Sequence, residues 1–117
     1  MATRSNIGKK LPDGSIRYIY CHFDGSENGV GATLKKHYLD EAKIDALLNL
    51  GSLSSLGAEI GEKHNFNQEP KGDWCRAYGR DRGEEDTEAV ITTNMNEFMV
   101  LGIGYLYENN VWTSYNS

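Results

Sequence analysis

The sequence predicts an α+β domain in which helices cover one face of a mainly antiparallel sheet. Three observations carry this. A Pro12-Asp13-Gly14 turn separates two stretches of β-type residues, as a hairpin requires. Apolar residues then recur at helical spacing over residues 30–50. Finally, the longest apolar run, residues 98–107, places apolar side chains on both alternating faces, the pattern of a central strand.

Taken in order, residues 3–10 and 15–23 form the N-terminal β-hairpin. Proline presets φ for the turn and Gly14 accepts a positive φ. In the second strand, Arg17, Ile19, Cys21 and Phe23 share one face, mostly apolar and expected in the core. Ile16, Tyr18, Tyr20 and His22 share the other, an aromatic surface with a polar tip on nearly every ring, suited to a partner or to a pocket floor. Residues 24–29, rich in Asp, Gly and Asn, break the strand. A helix over residues 30–39 aligns Val30, Leu34 and Tyr38. Asp40 is the natural N-cap of a second helix to Leu50, with Ile44, Leu47 and Leu48 as its apolar stripe and Gly51 as the residue that ends it.

Residues 52–72 have no period and read as a long loop anchored by Leu53, Leu56, Ile60 and Phe66. Short strands are expected at 74–78 and 89–94, followed by the 98–107 strand, a turn at 108–110 and a last strand at 111–115 carrying Trp112. Two helices cover one sheet face only. The other needs the long loop or a second copy of the chain, so a homodimer is expected.

The chain of 117 residues is the size of one domain, 1–117. No run of 18 apolar residues exists to cross a membrane, and residues 1–10 lack the apolar segment of a secretory signal. A cytoplasmic protein is expected. Cys21 and Cys75 belong to no CxxC and read as reduced, buried thiols. A net charge of −5 and a pI near 5.1 argue against general affinity for nucleic acid or anionic membranes.

The stretch richest in binding chemistry is Tyr78-Gly79-Arg80-Asp81-Arg82-Gly83-Glu84, expected as a loop. Arginine offers a rigid fork that fits phosphate or carboxylate, so Arg80 and Arg82 would clamp an anion while Tyr78 stacks on a ring. Alternatively, Asp81, Glu84 or Glu85 pairs with these arginines and fixes the shape of the loop. Arg4 is a second anion contact, and it would meet Arg80 if the first strand ran beside residues 74–78. His22 and Asp24, at a strand end, suit proton transfer or serve as a hydrogen-bonded strand end and turn. His37 and His64 have no metal-site spacing, neither cysteine has a zinc partner, and no nucleophile motif or phosphate-binding loop is present. No metal and no cofactor are expected. Gly29-Val30-Gly31 at a helix start reads as helix initiation.

Several of these segments occur together in a recognisable order: Met1-x-Thr3-Arg4-Ser5-x-Ile7, Ile19-Tyr20-x-His22-x-Asp24-Gly25, Gly31-x-x-Leu34-x-x-His37-Tyr38, Leu53-x-Ser55-Leu56-Gly57-x-x-Ile60-Gly61 and the 78–84 stretch. To about residue 84 the chain resembles a family of small, largely uncharacterised proteins of tailed bacteriophages. The resemblance implies a phage accessory protein acting in an infected bacterial cell, with no catalytic residues to carry over. Such proteins often blunt host defences, and three functions follow. One is sequestration of a nucleotide-like immune signal by Arg4, Tyr20, His22, Tyr78, Arg80 and Arg82, with Asp24, His37, Asp81 and Glu84 as secondary residues. The second is inhibition of a host defence protein, as an anti-CRISPR protein does, through the acidic surface and the Glu84-Glu85-Asp86 tip. The third is a small nucleotide-processing enzyme with His22 or His37 as acid/base. The implied partner is a small anionic ligand or a defence protein.

Overall fold

A computed structural model describes residues 2–116. Seven strands form one mixed sheet: β1 (Ser5–Lys10), β2 (Ile16–Cys21), β3 (Leu53–Ser55), β4 (Arg76–Ala77), β5 (Val90–Thr92), β6 (Ile103–Glu108) and β7 (Val111–Asn116). Their order is β4-β3-β2-β1-β6-β7, with β5 beside the other half of β2. The β1/β6 and β2/β3 pairs are parallel and the remaining four antiparallel. Four short helices accompany the sheet: α1 (Ala32–His37), entered through a π-helical turn at Glu27–Gly31, α2 (Glu41–Asn49), α3 (Tyr78–Arg82) and α4 (Met95–Phe98). The α+β class and the N-terminal strand pair are as the sequence indicates.

Alternation along β1, β2 and β6 divides the sheet cleanly. Ile7, Ile19, Cys21, Tyr105 and Tyr107 point to the helix layer, where they bury Leu34 and Tyr38 at the end of α1 and Ile44, Leu47 and Leu48 of α2. Asp40 caps α2 through Ala42 N–H, and Gly51 follows the helix at φ +75°. Tyr38 pins the 52–77 segment to this core. Its hydroxyl donates to Gly57 O (2.7 Å), while its carbonyl accepts from Trp112 Nε1 (2.8 Å).

Two expectations need correction. The 98–107 run is not one strand: α4 and a turn occupy residues 95–102, and the strand begins only at Ile103. Asn94 supplies the cap that makes the difference, its side chain accepting from Asn96 N–H. Secondly, α4 packs on the face opposite α1 and α2, so the helices are not confined to one side. Phe98 lies over Gly8 and Gly104, where a Cβ would come within 2.9 and 2.6 Å of its ring. The two glycines form a seat, and Phe98 with Ile16 and Leu106 makes a second, smaller core. Burial of such a ring contributes roughly 2–3 kcal/mol. Part of the face expected to need a second copy is therefore covered from within the chain.

The rest of that face, towards β2, β3 and β4, carries the residues discussed next. No helix is long and apolar enough to cross a membrane among the described residues.

Candidate functional site

The 78–84 stretch is a helical turn, not an open loop. Ala77 is extended before it, and Gly83 closes it at φ +75°, a conformation glycine adopts without strain. The turn directs Asp81 inward, where its side chain is inaccessible to solvent. Oδ2 accepts from Ala77 N–H (2.8 Å) and Oδ1 from His64 N–H (3.1 Å). Arg80 clasps the same carboxylate through Nε (2.9 Å) and Nη2 (3.2 Å), then donates to Ile60 O (2.8 Å) and Cys75 O (2.9 Å). Burial alone would raise the Asp81 pKa; the Arg80 guanidinium and the two backbone N–H groups outweigh it and lower the value. Arg80 and Asp81 thus staple the 60–64 segment to β4. This corrects the expected two-arginine anion clamp, because the Arg80 fork is engaged inside the protein.

Arg82 faces the other way and keeps about half of its side chain exposed. It pairs with Glu84, and its guanidinium lies 4.7 Å from the Phe66 ring and 4.9 Å from the Tyr78 ring. Phe66 and Tyr78 stack at 5.4 Å with 29° between planes, too close to admit another ring between them. The Arg76 guanidinium lies 5.9 Å from the Phe66 ring.

Tyr20 continues this surface. It is half-buried, and its hydroxyl shares a 2.6 Å hydrogen bond with His22 Nδ1. Burial raises the Tyr20 pKa; Arg4 opposes the rise and Tyr78 adds to it. Both groups therefore lie within electrostatic reach of the Tyr20 hydroxyl. Arg4 stands one residue beyond the last β1/β2 pair, Ser5↔Cys21, with the parity of Asn6 and hence on the Tyr20 side. His22 packs edge-on against Phe23 at 4.5 Å. Phe23 is 44% exposed, contrary to its expected place in the core, because β2 ends at Cys21 and the alternation ends with it.

The structure thus gathers Arg4, Tyr20, His22, Tyr78 and Arg82 on one side of the sheet, with Glu84 on the Arg82 guanidinium. Arg80 and Asp81 are withdrawn into the interior. Strands β3 and β2 separate β4 from β1, so Arg4 does not meet Arg80 as it would if β1 ran beside β4. His37 ends α1 in the helix layer, on the opposite side of the sheet from Tyr20. Asp24 is exposed in a left-handed turn (φ +56°), its carbonyl accepting from Val30 N–H. Phe66 and Arg76 belong to the surface but escape sequence reasoning. Phe66 lies in a segment with no period, and only its contact with Tyr78 identifies it.

Cavities of about 420 Å³, between the β1–β2 hairpin and Asn109, and about 220 Å³, between α1 and β7, lie elsewhere. Among the described residues no group of three His, Cys, Asp or Glu is placed to hold a metal ion. No family model, curated protein or solved structure matches this chain.

Proposed function

We propose that this chain is a phage accessory protein that acts by binding, without turnover, and that its aromatic face blocks a host defence protein. The observation that carries this reading is the convergence of Arg4, Tyr20, His22, Tyr78 and Arg82 on one side of the sheet. Tyrosine and arginine are the residues that dominate binding at protein interfaces. A half-buried surface of tyrosine and arginine suits another protein, whereas a small molecule needs walls. Three arginines, Arg4, Arg76 and Arg82, stand here in a chain of net charge −5, so the complementary partner surface carries carboxylates.

A second reading is sequestration of a nucleotide-like immune signal. It is supported by the hydrogen-bonded Tyr20–His22 pair, with Arg4 on the same side of the sheet. It is weakened by Arg80 being engaged with Asp81 and by the closed Phe66–Tyr78 stack.

Phage plating on a host that carries the targeted defence tests the proposal. Expression of the wild-type chain should raise plating efficiency, and a Tyr20→Ala/Tyr78→Ala/Arg82→Ala variant of unchanged melting temperature should not. Equal protection by both proteins would refute the assignment of this face. A melting-temperature rise with a cyclic nucleotide, lost in Arg4→Ala, would move the function to the second reading.

A further inference from the structure

We propose that β7 is a self-pairing edge through which two copies of the chain join into one continuous sheet. β7 ends the strand order, and its six residues pair with β6 without a bulge. Exposed edges are ordinarily protected by charged side chains, proline or bulges. Val111-Trp112-Thr113-Ser114-Tyr115-Asn116 contains none of these devices. The edge is also flanked by apolar surface: Val111 is 57% exposed and Leu39, beside it across the 220 Å³ cleft, 67% exposed. A strand without charge pairs antiparallel with its own copy about a two-fold axis without repulsion, even in an acidic protein.

Side-chain complementarity selects one register. With Thr113 on the axis, exposed Val111 lies opposite Tyr115 of the second copy, a β-branched–aromatic pair on the α4 side of the sheet. On the helix side, Trp112 lies opposite the second copy's Ser114. Lys35 lines the cleft beside Trp112. Lys35 and Glu27 pair at 3.1 Å within each copy, so the charges beside the edge are balanced in place.

Sedimentation equilibrium at tens of micromolar should give twice the 13.1 kDa chain mass. Thr113→Lys, which opposes two ammonium groups across the axis, should give the single-chain mass with an unchanged far-ultraviolet spectrum. Thr113→Cys should yield a disulfide-linked dimer on mild oxidation, since directly opposed Cβ atoms lie about 4.5–5.5 Å apart and need only a small approach. Ser114→Cys should not. A wild-type chain of 13.1 kDa with no cross-linking through position 113 would overturn the proposal, as would a Thr113→Lys dimer or cross-linking through position 114 alone.

Discussion

Replacement of Asp81 by alanine is predicted to be among the most damaging single changes at the surface-facing end of this protein. The carboxylate is inaccessible and accepts four hydrogen bonds, two from backbone N–H groups and two from Arg80. Its loss strands a guanidinium whose side chain is only 17% exposed, together with the amides of Ala77 and His64. Removing one partner of a buried pair costs about 3–5 kcal/mol, because the remaining charge has no compensation. The carbonyls of Ile60 and Cys75 still accept from Arg80 and hold the estimate near the lower end, about 3 kcal/mol. In a domain of this size that is a fall in melting temperature of roughly 10 °C or more. Asp81→Asn retains the shape and one acceptor oxygen and should lose less. Thermal and urea unfolding of the three proteins, followed by circular dichroism, measure this. An Asp81→Ala protein melting within two or three degrees of wild type (about 1 kcal/mol or less) would refute the staple.

Four further outcomes follow. Arg82→Ala, which removes an exposed pair with Glu84 and the cation–π contacts to Phe66 and Tyr78, should change unfolding free energy by no more than about 1–2 kcal/mol while weakening partner binding; unfolding and binding assays on one preparation separate the two effects. The lowered Asp81 pKa gives stability that is present above the ordinary carboxylate value of about 4 and is lost as pH falls through its own lower value. Wild type should therefore lose more stability than Asp81→Asn as the pH falls below the ordinary carboxylate value of about 4, and parallel acid limbs would contradict this. Gly104→Ala forces a Cβ to within 2.6 Å of the Phe98 ring and should cost about 1–3 kcal/mol in urea unfolding. Burial raises the Cys21 thiol to about 12 and the Cys75 thiol above its ordinary value, so neither should react with a thiol reagent until the protein unfolds.

Much of the fold is legible in the sequence where one local signal dominates. The Pro12-Asp13-Gly14 turn, the Asp40 cap and the Ile44-Leu47-Leu48 stripe each specify their element through neighbours a few residues away. The 98–107 run misleads because its first half is apolar for a different reason. Phe98 is buried over Gly104, six residues on, and Gly8, at the other end of the chain, and the sequence does not announce that pairing. The site divides in the same manner. Tyr20 and His22 can be placed together from strand alternation. The roles of Arg80 and Arg82 depend on which way a single helical turn faces, and residues 78–84 are compatible with both arginines pointing outward. Asp81 decides it by capturing the amides of Ala77 and His64, the latter 17 residues earlier in the chain.

The central claim is that the Arg4–Tyr20–His22–Tyr78–Arg82 face is where this chain binds. The most direct test is affinity capture from a lysate of a defence-carrying host, comparing wild type with Tyr20→Ala/Tyr78→Ala/Arg82→Ala at matched melting temperature. The account predicts a defence protein retained by wild type, absent with the variant, and released by carboxylate-rich competitor at low salt. The same protein held equally by both would place the binding surface elsewhere on the molecule.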